Sequence, residues 1–325
     1  MTGTRSAESA EDRYIMVAGR KLRIRVRGEG PPVLLINGLG CNVATWNALH
    51  ESLDGLEVIS FDAPGAGRSK TPLIPYRIGH IADVARDVLD AVGRDRADVL
   101  GYSFGGAVAQ ELAVRSPDRV RKLVLVSTSC GAGAVPGSLM ALLAVSTPAR
   151  QHGRVGYDLM MKMLDLAPAE QASEALKTQT PSWHREAPAP PRGYMLQMSA
   201  FMGFNSTPWL HRIGAPALVV SGAADRLVPM ANSAILAAYL PHARLQLVDR
   251  WGHYVLQDRA SGAGALVADF LSAQHHEDSS AWRSGLDLTR QSMNEYVRSA
   301  PRSAHPATLT NGLVRLVHPP RRGTD

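Results

Sequence analysis

The chain has only two cysteines, Cys41 and Cys130, in 325 residues. That excludes a disulfide-stapled scaffold and makes a reducing compartment the simpler reading. No stretch reaches the roughly 18 uninterrupted apolar residues of a membrane span. The opening "MTGTRSAESAEDR" is polar and lacks the apolar core of a secretory signal. The expectation is a cytoplasmic protein. Internal repeats and long low-complexity segments are also missing, so a solenoid is excluded. "GLGCN" and "APGAG" are glycine-rich but lack the spacing of a dinucleotide fingerprint. "HHED", from His275, has the composition of metal ligands but sits in a polar tail. No cofactor and no metal is expected.

Apolar material is plentiful. Hydrophobic residues make up 45% of the chain and charged residues 20%, enough to bury a sizeable core. The formal charge is +6 and is unevenly spread. From Trp282 onward there are seven Arg and three acidic residues, a net of +4. The body is therefore close to neutral, which argues against a nucleic-acid-binding core. The basic tail is either solvated or in touch with an anionic surface.

Residues 1–13 read as a disordered lead. "YIMVAGRKLRIRVRG" reads as a hairpin, with Leu22, Ile24 and Val26 alternating against Arg and Lys. "PPVLLING" carries a continuous apolar run, the mark of a strand buried on both faces. "LEVISFD", "ADVLGYS", "RKLVLVST", "PALVVSG" and "ARLQLVD" repeat the type. Helical patterns lie between them, including "HIADVARDVLDAVG" and "FGGAVAQELAVRSP", the latter stopped by Pro117. Alternating buried strands and helices give an α/β fold: a mostly parallel sheet, helices on both faces, and an antiparallel edge from the hairpin.

One interval breaks the rhythm. Residues 131–213 hold helical patterns and prolines but no buried strand, and seven of the eleven Met lie there. They read as a helical cap. A Met-rich surface adapts to irregular apolar ligands, although these Met could equally pack the cap's own core. The expected organisation is core at 14–130, cap at 131–213, core again at 214–273, and a basic tail at 274–325. Trp282, Leu286, Met293, Tyr296 and Val297 would fit one apolar helical stripe in that tail.

The chemistry centres on "VLGYSFGGAVAQEL". Ser103 stands in Gly-x-Ser-x-Gly between a buried strand and a helix. Such a strand-to-helix elbow holds a serine in a strained turn with its hydroxyl at the top of the sheet. The bland alternative is a serine that merely caps the helix. A nucleophilic serine needs a base, and the base needs an orienting carboxylate, in the chain order Ser, acid, His. Among eleven histidines, His253 in "WGHYVLQ" follows the last buried strand at its C-terminal end. Asp225 in "GAADRLVP" follows "LVVSG" in the same way, while "STSCGAG" offers no carboxylate. Asp249 lies too near His253 in sequence to orient it, and Asp62 fits better as an organiser of its own loop. Developing oxyanion charge needs N–H donors. Phe104 N–H follows the nucleophile, and Leu39 N–H in "NGLGCN" is the expected second donor.

"GYSFGG", "GAADRLVP" and "WGHYVLQ", in that order, resemble the α/β-hydrolase family over about residues 14–273. "FDAPGAGRS" is similar to the D-x-P-G-x-G-x-S loop of that family. "LLINGLGCN" has Asn37 where most members carry His. With "GAVPGSLMALL" and "PWLHRIGAPALVVSGAADRLVPMANSAIL", it resembles the intracellular medium-chain-length poly(3-hydroxyalkanoate) depolymerases. That resemblance implies an α/β-hydrolase fold with a cap over an apolar cleft. It implies catalysis by Ser103, Asp225 and His253 on a hydrophobic ester or polyester, with a storage-granule surface as a further partner. Asn37, Met160, Met198 and Met202 are the expected substrate contacts. A small-ester carboxylesterase, a lipase, a C–C hydrolase and a non-catalytic receptor of the same fold are the alternatives.

Overall fold

The computed structural model describes residues 12–17, 19–146 and 186–299. Gly19, at φ 72°, turns the chain between β1 (Asp12–Val17) and β2 (Arg20–Arg27). The first strand starts at Asp12, inside the expected 1–13 lead. The cause is electrostatic. The Asp12 carboxylate accepts from Arg23 Nε at 2.8 Å and from Arg25 Nε at 2.9 Å. Arg23 is fully buried and also pairs with Glu186, so this edge is pinned from two directions. An unpaired buried guanidinium would be costly, and these carboxylates remove that cost.

Six further strands complete the sheet: β3 (Pro32–Ile36), β4 (Glu57–Phe61), β5 (Ala97–Tyr102), β6 (Val120–Val126), β7 (Ala217–Gly222) and β8 (Ala243–Val248). Their spatial order is β1-β2-β4-β3-β5-β6-β7-β8. The β1–β2 and β2–β4 pairs are antiparallel, and the rest are parallel. Every residue of β5 and β7 is buried, as continuous apolar runs require in a sheet covered on both faces.

The period of two is visible in the core. Leu34 and Ile36 of β3 face one apolar cluster, with Val99, Leu123 and Val219. Val33 and Leu35 face another, with Leu100, Tyr102, Val124 and Leu218. Helices α1 (Ile78–Ala91) and α2 (Phe104–Arg115) cover the first face. Between β6 and β7 the chain makes a long excursion. It contains α3 (Leu139–Val145) and α4 (Pro191–Met202). Met160 lies outside the described residues. After β7, α5 (Met230–Tyr239) joins the first face, and α6 (Ala263–Ser272) covers the second. Lys122 of β6 is buried, and its ammonium donates to the Phe270 and Leu271 carbonyls at 2.9 and 3.0 Å. A cation there closes the end of α6, where carbonyls lack helical partners.

Among the described side chains the expected single stripe in the tail does not form; those of Tyr296 and Val297 lie outside them. Trp282 sits in a one-turn helix and stacks on Phe270, with ring centroids 5.8 Å apart. Leu286 leaves the helix and pairs with Leu245 through two backbone hydrogen bonds of 2.9 and 2.8 Å. That covers part of the β8 edge, whose N–H and C=O groups would otherwise face solvent. Met293, in α7 (Arg290–Ser299), is buried against the first cluster. The tail as far as Met293 is thus built onto the body.

Candidate active site

The site lies at the carboxyl ends of β5, β7 and β8, where loops of an open α/β sheet converge. Ser103 lies between the end of β5 and the start of α2. Its backbone is at φ 53° and ψ −117°, a conformation that L residues rarely hold. The surroundings impose it. Ser103 N–H donates to the Val126 carbonyl at 2.8 Å, and its own carbonyl accepts from Gly106 N–H and from Thr128 Oγ1. A Cβ on Gly105 would fall on the Ile36 carbonyl oxygen, and one on Gly101 would strike the Gly105 carbonyl. The elbow closes only because both positions lack side chains.

The Ser103 side chain makes no helix-capping hydrogen bond, so the capping alternative fails. Its Oγ instead lies 3.1 Å from His253 Nε2. His253 Nδ1 lies 2.8 Å from Asp225 Oδ2. With the carboxylate accepting, the ring proton belongs on Nδ1 and the Nε2 lone pair faces the serine hydroxyl. Asp225 Oδ1 accepts from Leu227 and Val228 N–H at 2.9 and 2.8 Å. Both carboxylate oxygens are therefore held, and the group is buried. His253 is buried too. Tyr102 packs beside its ring, and the Tyr102 hydroxyl donates to the His253 carbonyl at 3.2 Å. Gly222 meets the Trp251 and Gly252 carbonyls, which brings the histidine loop against the end of β7.

The 37–43 loop faces the elbow. Leu39, Gly38 and Cys41 line the same cavity as Ser103 and His253. Phe104 N–H stands in the first turn of α2, where no helical acceptor precedes it. The loop is held from several sides. Val43 N–H donates to Asp62 Oδ1, and Asn42 Oδ1 accepts from Ala44 N–H. Asp62 Oδ2 also accepts from Arg68 N–H at 2.8 Å, so this acid organises two loops. Burial pushes its carboxyl above the ordinary value, against the pull of those N–H donors and Arg23.

The expected substrate contacts divide. Met198 and Met202 line the cavity, which encloses about 470 Å³. Asn37 does not. It is buried beneath the loop, and its Nδ2 donates to the Phe61 carbonyl at 3.3 Å, tying the end of β3 to β4. The expectation of a substrate contact there is corrected: the side chain turns into the sheet, not into the cavity. Val135, Leu142, Phe201 and Leu227 complete much of an apolar wall. Among the described residues, no Arg, Lys, Asp or Glu lines it.

Two contributors escaped the sequence reading. Asn232 of α5 grips the wall residue Val135 at both backbone groups, at 2.7 and 2.9 Å. Gln197 of α4 accepts from Gly40 N–H at 2.9 Å. The available signal was a polar residue on a buried helical face. Gln197 shares its face with Tyr194 and Ala200, three residues to either side.

A family model described as alpha/beta hydrolase fold matches residues 31–260. The chain belongs to this family. As an α/β hydrolase it is similar to a poly(3-hydroxyalkanoate) depolymerase of Ectopseudomonas oleovorans, at 35% identity over 81% of this chain and 93% of that protein. A 2-hydroxymuconate semialdehyde hydrolase of Pseudomonas putida is 31% identical over 80% of this chain and 94% of that one. Among solved structures, a hydrolase from Pseudomonas aeruginosa PA01 aligns with a TM-score of 0.67 and 25% identity. That alignment covers 81% of this chain and 98% of the other. Fold and relatives together support a hydrolase.

Proposed function

We propose that this α/β hydrolase is a serine esterase acting on hydrophobic oligoesters or polyesters of 3-hydroxyalkanoates. The observation that carries the reading is the Ser103–His253–Asp225 chain of contacts at the floor of a cavity whose described lining is largely apolar and holds no Arg, Lys, Asp or Glu.

Ser103 Oγ attacks the ester carbonyl carbon while His253 Nε2 takes the hydroxyl proton. The carbonyl oxygen becomes an oxyanion facing the Leu39 and Phe104 N–H groups. The C–O bond to the alcohol then breaks, and His253 gives its proton to the departing alkoxide. An acyl-serine remains. Water attacks it, His253 again takes and returns a proton, and the hydroxy acid leaves. Asp225 fixes the imidazole tautomer and stabilises the imidazolium. The excursion between β6 and β7 acts as a cap, and Met198 and Met202 meet the alkyl chains.

The likeness to the Ectopseudomonas depolymerase supports the substrate class. The likeness to the semialdehyde hydrolase supports a second reading, a C–C hydrolase. The wall favours the ester. A substrate carrying a carboxylate would bury that charge here without a cation among the described lining residues, which is costly. The test sets p-nitrophenyl esters of four to twelve carbons beside amorphous polyester granules and a semialdehyde substrate. Release of 3-hydroxy acids from granules supports the proposal. Turnover of the semialdehyde with inert granules overturns it.

Granule attachment through the basic tail belongs to the same proposal. Removal of residues 300–325 is expected to weaken granule binding and leave soluble-ester activity intact. A cut near residue 275 is unsuitable, because it would strip Trp282 and Met293 from the body.

A further inference from the structure

The 37–43 loop meets the rest of the molecule through an unusual partner. Gly40 N–H donates to the side chain of Gln197, 157 residues away, at 2.9 Å. Gln197 Nε2 donates to the Pro64 carbonyl at 3.3 Å. The side chain is 1% exposed. Its orientation is fixed by its partners, since an N–H can only donate and a carbonyl can only accept. One amide thus spans the 37–43 loop, the 62–68 loop and α4.

The surrounding contacts make this a seam. Gly193, one turn earlier in α4, lies backbone to backbone on Gly65, so closely that a Cβ on either would collide with the other. Asn42 Nδ2 donates to the Ala187 carbonyl at 2.8 Å. One residue past Gln197 the helix presents Met198 to the cavity, and Phe201 packs against Phe104 with ring centroids 6.3 Å apart. The helix that walls the cavity therefore touches both segments that carry oxyanion donors.

We propose that Gln197 is a positioning residue that sets the aim of the Leu39 N–H by holding its neighbour Gly40 against α4. The inference rests on the reading of Leu39 as an oxyanion donor. Gln197 does not reach the reacting atoms. It fixes a loop whose small displacement would weaken a bond that matters most in the tetrahedral state. Packing of an acyl chain on Met198 and Phe201 and polarisation of its ester are then joined through one helix.

The test compares Q197M, which removes both hydrogen bonds, with Q197E, which keeps an acceptor for Gly40. Both are assayed on p-nitrophenyl octanoate beside S103A. Each is also titrated with an alkyl trifluoromethyl ketone, whose serine adduct carries an oxyanion. Hydrogen exchange is followed at single-amide resolution across residues 37–43. Q197M is expected to lose about 10- to 100-fold in kcat with little change in KM. It should lose ketone affinity by a similar factor and exchange its Gly40 amide faster, while Q197E, which keeps the Gly40 acceptor but sets a buried carboxyl against the Pro64 carbonyl, loses less than Q197M in all three. A folded Q197M enzyme with wild-type kcat and ketone affinity, beside an inactive S103A, would overturn the inference alone. An active S103A would instead overturn the serine mechanism. If Q197M gives no cooperative melt, the wild-type Gly40 amide decides: slow exchange supports the seam, and exchange at the rate of an open loop overturns it.

Discussion

The floor and the wall of the cavity are built by different means. The floor is backbone. Ser103 is held at φ 53° by a sheet bond, a helix start and two glycines, and the Asp225 carboxylate is held by N–H groups two and three residues on. Those holds are local or strand-to-strand, although the three reacting side chains meet one another across 28 and 150 residues. The wall is held by side chains that reach distant backbone across long sequence separations, as in Gln197 to Gly40 and Asn232 to Val135. A floor made this way tolerates almost no substitution. A wall made this way can be re-cut without moving the triad, except where a residue such as Gln197 also holds the 37–43 loop.

The largest effect should follow from breaking the floor. Asp225→Asn would put an amide donor against His253 Nδ1 or favour the wrong tautomer. We expect kcat to fall by about 10⁴ with the fold intact, read by steady-state kinetics and a thermal melt. A loss below about tenfold would show that the carboxylate does not orient the base.

Re-cutting the wall should do less and do it selectively. Phe201→Ala removes a ring that packs on Phe104 and Phe204 and lines the cavity. Octanoate and longer esters should lose about tenfold in kcat/KM and butyrate much less, because the lost contacts meet only long chains. An equal loss on all chain lengths would place the damage at the floor instead.

The smallest effect is remote from both and concerns stability alone. Burial beside Arg27 and Arg25 pushes the His50 imidazole down to about 4. The unfolded chain takes that proton near its ordinary value, and the folded chain takes it only near 4. Stability should therefore fall as pH drops from about 6.5 to about 4, by up to about 2 kcal/mol. Denaturant melts of His50→Gln should lose that part of the pH dependence, while kcat at neutral pH stays unchanged. An identical pH slope in wild type and variant would count against a neutral, half-buried imidazole.

The floor was largely legible in the sequence, and the wall was not. Gly101, Ser103 and Gly105 announce their geometry because glycine and a strained turn are properties of neighbouring residues. Asp225 and His253 could be placed because each follows a buried apolar run. Gln197 could not be assigned a partner, since nothing in "YMLQMSA" says that Gly40 lies beside it. Asn37 misled for a related reason. The resemblance put it at the substrate, but only the pairing with β4 decides which way the side chain turns. In the tail, Trp282, Leu286 and Met293 match a helical period. Yet Leu286 bonds with Leu245 on the open edge of β8, and a local period cannot foresee that partner.

The proposed reaction runs through an acyl group carried by Ser103. Rapid quench of the enzyme with a p-nitrophenyl alkanoate, followed by peptide mass spectrometry, tests this directly. The expected result is a burst of nitrophenol, the acyl mass on Ser103, and neither burst nor turnover in Ser103→Ala. Turnover by Ser103→Ala, or an acyl mass on another residue, would contradict it.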